Sequence, residues 1–259
     1  MANDRQRRRG RTPLAAVSPY TLDPIPGFGP EASVDPHRAV LLIQDMTGPL
    51  IAPFDLSAST AQFSIAVRRI TRLADAARNA GVPVVYVDAA DGSTGGAALL
   101  AQLWRPDVER PGAHRPGGGR SGARRSGAER ADAGDHESAP PAFPDLAPVR
   151  GDTVLSRSHH SAFTGTDLRH RVRGWRRDQL IVTGVYAHIG CLATATAAAI
   201  DNIEPFLVPD ATADLDEERH REGLEQAARV GARVRPTADI LRDLKADPLE
   251  DNPPPRGQW

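Results

Sequence analysis

A chain of 259 residues suits one α/β domain, or one domain with an appended segment, and is short for two large ones. Its 40% hydrophobic content supports a proper core, and a formal net charge of -1 removes the electrostatic reason to expect nucleic-acid or membrane-surface binding. Lys245 is the only lysine, so the cationic side is nearly all arginine, and a single arginine is weak evidence of a role.

The single cysteine, Cys191, excludes an internal disulfide framework and fits a reducing compartment. Basic residues between Arg5 and Arg11 are followed by no apolar run, so no secretory signal is expected. No stretch approaches the roughly 18 apolar residues of a spanning helix. The expectation is a cytoplasmic protein.

In chain order, residues 1–16 read as a disordered leader, and Ser18 to Pro36 as an irregular Pro/Gly arm. Ala39-Val-Leu-Leu-Ile43 is a continuous apolar strand of the kind buried on both faces of a parallel sheet, and it runs into Gln44-Asp45-Met46. Phe63, Val67, Ile70, Leu73, Ala74 and Ala77 recur at helical spacing up to Asn79, where Gly81 supplies a stop. Val82 to Val87 is the second strand. Leu99, Leu100, Leu103 and Trp104 suggest a short amphipathic helix.

The segment 105–144 is a Gly/Arg/Ser/Pro/Ala mixture from which no core can be built, so it reads as a disordered insert or a lid. Order returns with the strand Asp152–Ser156, a helix Thr166–Gly174 capped by Thr166, and the strand Gln179–Thr183. A helix from about Cys191 to Asn202 and the strand Pro205–Val208 follow. Asp216-Glu217-Glu218 opens an acidic helix start, favourable against the helix dipole. A strand near Ala232–Arg235 and a helix Thr237–Lys245 close the alternation before a loose tail at 248–259. The domain limits are therefore 17–247. Such alternation predicts a three-layer α/β/α, Rossmann-like fold with a mainly parallel six-stranded sheet and right-handed crossovers.

The most informative stretch is Gly184-Val185-Tyr186-Ala187-His188-Ile189-Gly190-Cys191, a glycine-flanked turn between an apolar strand and an Ala/Thr-rich helix. Open α/β folds place their chemistry at such turns, beyond the carboxyl ends of the strands. Together with Arg38-Ala-Val-Leu-Leu-Ile-Gln-Asp-Met46, Ser161-Ala162-Phe163 with Thr166-Asp167-Leu168, and Val208-Pro-Asp-Ala-Thr-Ala-Asp214 with His220, this turn resembles the isochorismatases. These are members of the cysteine-hydrolase-like superfamily that lack the nucleophilic cysteine. The matching blocks occur in the family's order and cover most of 38–104 and 150–245.

The resemblance implies hydrolysis of an enol-pyruvyl ether on isochorismate or a related ring acid, in aryl-acid or other secondary-metabolite formation. It implies Asp45 as the general acid, a role that requires a raised pKa and a dry setting. Read from spacing alone, Asp45 is expected to be a turn or helix N-cap residue; the resemblance is what moves it to catalysis. The family's partner lysine falls on Arg157, which keeps the charge and can fork onto a carboxylate but cannot donate a proton; a surface arginine is the plainer reading. Gly190 leaves the nucleophile position without a side chain, and Tyr186 joins it along the acceptor face. A homodimer is implied by resemblance, and neither metal nor cofactor is.

Several family positions differ. Val87-Asp88-Ala89-Ala90-Asp91 stands where the family carries a glutamine, Ala97 where it places an arginine before Leu-Leu…Trp, Thr47 where it has a glutamine, and Ser158-His159-His160 where it has aromatic and basic residues. Isochorismate groups left without those partners would lose about 1–3 kcal/mol apiece. His159, His160 and Asp88 are then candidates for an altered substrate pocket, with Trp104 beside them. A metal site on His159 and His160 is disfavoured because adjacent strand residues face opposite ways. Cys191, one position past the nucleophile site, reads as a small buried residue rather than a thiol catalyst. His188 is either a substrate contact or a turn histidine held by backbone. The competing functions are a changed, non-hydrolytic reaction on the same fold, a non-catalytic binding protein, and a thiol amidase using Cys191.

Overall fold

The computed structural model describes residues 16–24, 27–28, 32–46, 50–89, 143–157 and 159–245. Six strands, β1 Ala39–Gln44, β2 Val84–Ala89, β3 Thr153–Arg157, β4 Gln179–Val185, β5 Glu204–Ala213 and β6 Arg233–Val234, form one sheet in the order β3-β2-β1-β4-β5-β6. Every ladder is parallel. An isolated antiparallel bridge from Phe28 to Val234 covers part of the β6 edge. The helices are α1 Gln62–Asn79, α2 Leu168–Gly174, α3 Leu192–Ile200, α4 Glu217–Arg229 and α5 Thr237–Asp243.

Alternation along β1 explains the three layers. Ala39, Leu41 and Ile43 share one core with Phe63, Val67, Ile70 and Leu73 of α1 and with Ile240 and Leu241 of α5. Val40 and Leu42 share the opposite core with Leu168 and Val172 of α2, Ala195 and Ala198 of α3, and Leu224 and Ala227 of α4. A strand sandwiched this way must be apolar at every position, as the run Ala39–Ile43 is. Among the described residues no helix is long and apolar enough to cross a membrane.

The chain first winds outward from β1 to β2 and β3, then returns to lay β4 on the other side of β1. The direction of winding therefore reverses between β1 and β4, and the crevice at their carboxyl ends is where such sheets bind ligands. Gln44 at the end of β1 lies in register with Gly184 of β4.

Several element limits differ from the sequence expectation, each for a local reason. The second strand is Val84–Ala89 rather than 82–87, because its ladder with β3 runs on to Asp88 and Ala89. The third ends at Arg157, one residue later than expected. The fourth continues through Gly184 and Val185. The fifth does not stop at Val208: its ladder with β4 breaks after Leu207 and resumes at Thr212. Pro209 accounts for the interruption, since proline cannot donate to a ladder. Gln62 Nε2 takes up the freed carbonyls of Pro209 (3.1 Å) and Thr212 (2.9 Å).

The helix expected from Thr166 begins at Leu168; the Thr166 hydroxyl accepts from Leu168 N at 3.3 Å and donates to Ala162 O at 2.5 Å, so it binds the approach rather than the first turn. The helix expected over Cys191–Asn202 is α3, from 192 to 200, and the last helix ends at Asp243. The 1–15 portion of the leader, 105–142 of the insert and the 248–259 tail lie outside the described residues.

Candidate active site

Asp45 follows directly on β1 with φ 59, a left-handed conformation that is uncommon for a residue with a side chain and better tolerated by aspartate than by most. Its amide still donates to Val87 O at 2.9 Å, so the turn away from the sheet starts at its Cα. The side chain is 2% exposed. Arg157, from the last residue of β3, is also 2% exposed; its Nη2 donates to Asp45 Oδ2 and its Nη1 to the His159 carbonyl.

Gln44 supplies a further donor to the same carboxylate oxygen, with Nε2 3.4 Å from Oδ2. Oδ1, in contrast, is buried with no protein hydrogen-bond partner, as are Arg157 Nε and His160 Nδ1. Buried polar atoms normally find partners, so Asp45 Oδ1 and Arg157 Nε, on the two members of one buried ion pair, stand out among the described residues. Burial pushes Asp45 up to about 7 from 3.8, the Arg157 charge and hydrogen bond pull it partly back, and Asp88 adds to the rise. A carboxylic acid that stays protonated near neutral pH is the group acid catalysis requires.

The turn after β4 explains the absent nucleophile. Residues Ala187–Cys191 form one π-turn, with the Tyr186 carbonyl accepting from Ile189 N and Cys191 N, each at 3.2 Å. Such irregular turns often occur at functional sites. The Val185–Tyr186 peptide is cis. Gly190 sits against the acid: a Cβ there would stand 3.4 Å from Asp45 Oδ2 and overlap Gln44 Nε2.

Of the expected site residues, the structure brings together Asp45, Arg157, Asp88 and Gly190, with the His159 and His160 backbone beside them. The His160 ring is half-buried, and burial together with Arg157 lowers its pKa. His159 is exposed, so the two histidine side chains sit in different surroundings. Tyr186 is buried in the core against Phe54, 5.5 Å between ring centres, and its hydroxyl donates to Leu50 O at 2.5 Å. Trp104, Thr47, Ala90, Asp91, Ala97, Leu99, Leu100 and Ser158 lie outside the described residues.

Cys191 is fully buried, and burial pushes its thiol well up, which is the opposite of a reactive thiolate. Among the described residues, no group of three or more His, Cys, Asp or Glu side chains is placed to hold a metal ion.

The residues that sequence reasoning did not single out are Gln44, Thr194 and Asp214. For Gln44 the signal was present: a polar side chain on a strand otherwise apolar at each position. Asp214 fixes the turn, accepting from His188 N at 2.7 Å and lying 2.6 Å from His188 Nδ1. His188 is therefore held by a carboxylate, not by backbone carbonyls. Asp214 N in turn donates to Tyr20 Oη at 2.7 Å.

Tyr20 Oη is 2.9 Å from His220 Nδ1, and His220 Nε2 is 2.9 Å from Thr212 Oγ1, whose own proton goes to Val208 O. That chain of donors and acceptors suits a neutral imidazole. Burial lowers His220 from 6.5 to about 4. The unfolded chain then binds the extra proton first, so stability falls as pH drops from 6.5 towards 4, by about 3 kcal/mol at about 1.4 kcal/mol per pH unit. Urea unfolding of the wild type and of His220→Gln across pH 4–7 should show the wild type losing that margin relative to the variant. Parallel pH curves for the two proteins would contradict the neutral-histidine reading.

An isochorismatase domain model matches residues 39–239, which takes in every strand of the sheet and both halves of the site. The isochorismatase of Bacillus subtilis (strain 168) is 34% identical over 244 residues, covering 92% of this chain and 69% of that protein. A phenazine biosynthesis protein of Pseudomonas fluorescens is 33% identical over 235 residues, covering 89% of this chain and 99% of its own. Among solved structures, a cysteine hydrolase from Pseudomonas syringae pv. phaseolicola superposes with a TM-score of 0.60 at 21% identity, over 85% of this chain and 97% of that one, a likeness of fold. A matched domain of this extent, joined to relatives at one-third identity along most of the chain, places the protein in the isochorismatase family.

Proposed function

We propose that the protein hydrolyses the enol-pyruvyl (vinyl) ether of isochorismate or a closely related ring acid, with Asp45 as general acid, in the formation of an aryl acid or another secondary metabolite. The observation that carries this reading is a buried carboxylic acid at the β1/β4 switch point, held near pKa 7, with one oxygen unclaimed by the protein. Asp45 delivers its proton to the vinyl methylene, which becomes a methyl group. The adjacent carbon becomes an oxocarbenium ion and takes up water, and the water's spare proton returns to the carboxylate. The hemiketal then collapses to pyruvate, its hydroxyl proton leaving with the ring oxygen.

No side-chain nucleophile takes part, which agrees with glycine at 190. Arg157 holds the carboxylate after proton transfer and keeps its unpartnered Nε available to an anionic group of the substrate. The relatives named for isochorismatase and phenazine biosynthesis support the substrate class.

The expected result is pyruvate release from isochorismate with kcat/KM level at acid pH and falling as pH rises through about 7, since the acid must be protonated. A coupled lactate dehydrogenase assay measures it. The absence of pyruvate at every pH, or a rate that climbs through pH 7, would sink the reading. A second reading, a changed and non-hydrolytic reaction on a related ring acid, is favoured by Arg157 in place of the family's lysine. Under it isochorismate yields no pyruvate, while Asp45→Asn still abolishes turnover of the true substrate.

A further inference from the structure

Gln44 is 0% exposed, and its side chain ties two separate elements of the site to its neighbour Asp45. Its Oε1 accepts from Thr194 Oγ1 of α3 at 2.8 Å, and its Nε2 donates to the His160 carbonyl after β3 at 3.1 Å. The Thr194 hydroxyl is fixed in turn by accepting from Ala162 N at 2.9 Å. Two acceptors on the Nε2 side, the His160 carbonyl and the Asp45 carboxylate, set the orientation of the amide. The adjacent carbonyls of His159 and His160 are thus gripped by Arg157 and Gln44, the same two side chains that hold Asp45.

Both donors act on a single oxygen of the acid. Oδ2 accepts from Arg157 and from Gln44, and Oδ1 from neither. A protonated carboxyl keeps its hydrogen on the oxygen that is not accepting, so the proton resides on Oδ1. The same amide occupies the space that a side chain at 190 would enter. Because its head is tied on both sides, it cannot swing aside without giving up its bonds to Thr194, the His160 carbonyl and Asp45.

We propose that Gln44 is a positioning residue for the acid: its amide, pinned between Thr194 and the His160 carbonyl, donates to Asp45 Oδ2, consigns the transferable proton to Oδ1, and thereby restricts position 190 to glycine. The assignment of a transferable proton rests on Asp45 being the general acid, as above; the coupling between positions 44 and 190 does not. A side chain at 190 and the amide at 44 are mutually exclusive. A thiol placed at 190 would therefore displace the Gln44 amide from Asp45 before it supplied a nucleophile.

The test uses Gln44→Met, Gly190→Ala, Gln44→Ala and the double variant Gln44→Ala/Gly190→Ala. The Asp45 carboxyl is followed by carbon-13 NMR on aspartate-labelled protein, its signal identified by loss in Asp45→Asn. In Gln44→Met, which keeps the length and removes the donor, the Asp45 titration should move to higher pH, and the falling limb of kcat/KM with it. Gly190→Ala should lower kcat/KM by about tenfold when Gln44 is present and by much less in the Gln44→Ala background, the non-additivity expected of residues in contact.

An unchanged Asp45 titration in Gln44→Met, or equal Gly190→Ala effects in the two backgrounds, overturns the proposal. Should Gln44→Met fail to fold, the cycle of wild type, Gly190→Ala, Gln44→Ala and the double variant still decides it. If the wild type releases no pyruvate, the hydrolase reading falls, while the Asp45 titration continues to judge Gln44.

Discussion

Asp45→Asn is expected to lower kcat for pyruvate release by about 10²–10⁴-fold, the range that one positioned acid contributes. The variant keeps the shape of the side chain and cannot deliver a proton. Arg157 and Gln44 both donate to Oδ2, an atom that asparagine can retain as its carbonyl oxygen, so the pocket should keep its form and KM should move little. Steady-state kinetics on isochorismate provide the measurement, and more than a tenth of wild-type kcat remaining would remove Asp45 from the acid role.

The same substitution has a consequence for stability with a defined sign. Asp45 titrates at about 7 when folded and 3.8 ordinarily, so the unfolded chain ionises first as pH rises. The stability associated with the neutral acid is complete below pH 3.8 and is lost as pH climbs through 7, an amount on the order of 4 kcal/mol. His220 acts in the opposite direction over nearly the same window, so the two slopes offset one another in the wild type. Asp45→Asn should expose the histidine's slope, and denaturant unfolding at several pH values would show it.

Gly184→Ala is expected to destabilise the fold by about 4 kcal/mol or more, at the upper end of single substitutions. Gly184 has φ +110, which residues with side chains rarely adopt. A Cβ there would lie 2.8 Å from both the carbonyl carbon and the amide nitrogen of Gln44 and would overlap its carbonyl oxygen. Those are backbone atoms of the neighbouring central strand, so relief would require β1 and β4 to separate at the switch point. Because Gln44 and Asp45 sit at that point, activity should fall together with the thermal midpoint. A variant that melts within about 2 °C of the wild type would show the close approach to be soft.

Much of the fold was legible because the signals were local. An unbroken apolar run such as Ala39–Ile43 fits a strand covered on both faces, and the spacing of Phe63, Val67, Ile70 and Leu73 puts one stripe of α1 on the sheet. Element limits were less legible where a neighbour decided them. Asp88 and Ala89 become strand because Ser156 and Arg157 pair with them, and β5 continues past its broken ladder with Gln62 Nε2 bonded to the Pro209 and Thr212 carbonyls there.

Within the site the division is similar. The sequence alone determined the α/β alternation, the resemblance that drew attention to Asp45 and Arg157, and the lack of a side chain at 190. Only the tertiary structure decided what these residues do to one another. Arg157 is 112 positions from Asp45 and Thr194 is 150 from Gln44, so no local pattern can report that they touch. Whether an aspartate is a cap on the surface or an acid held near pKa 7 depends on how completely water is excluded, which the sheet and three of its connections settle together.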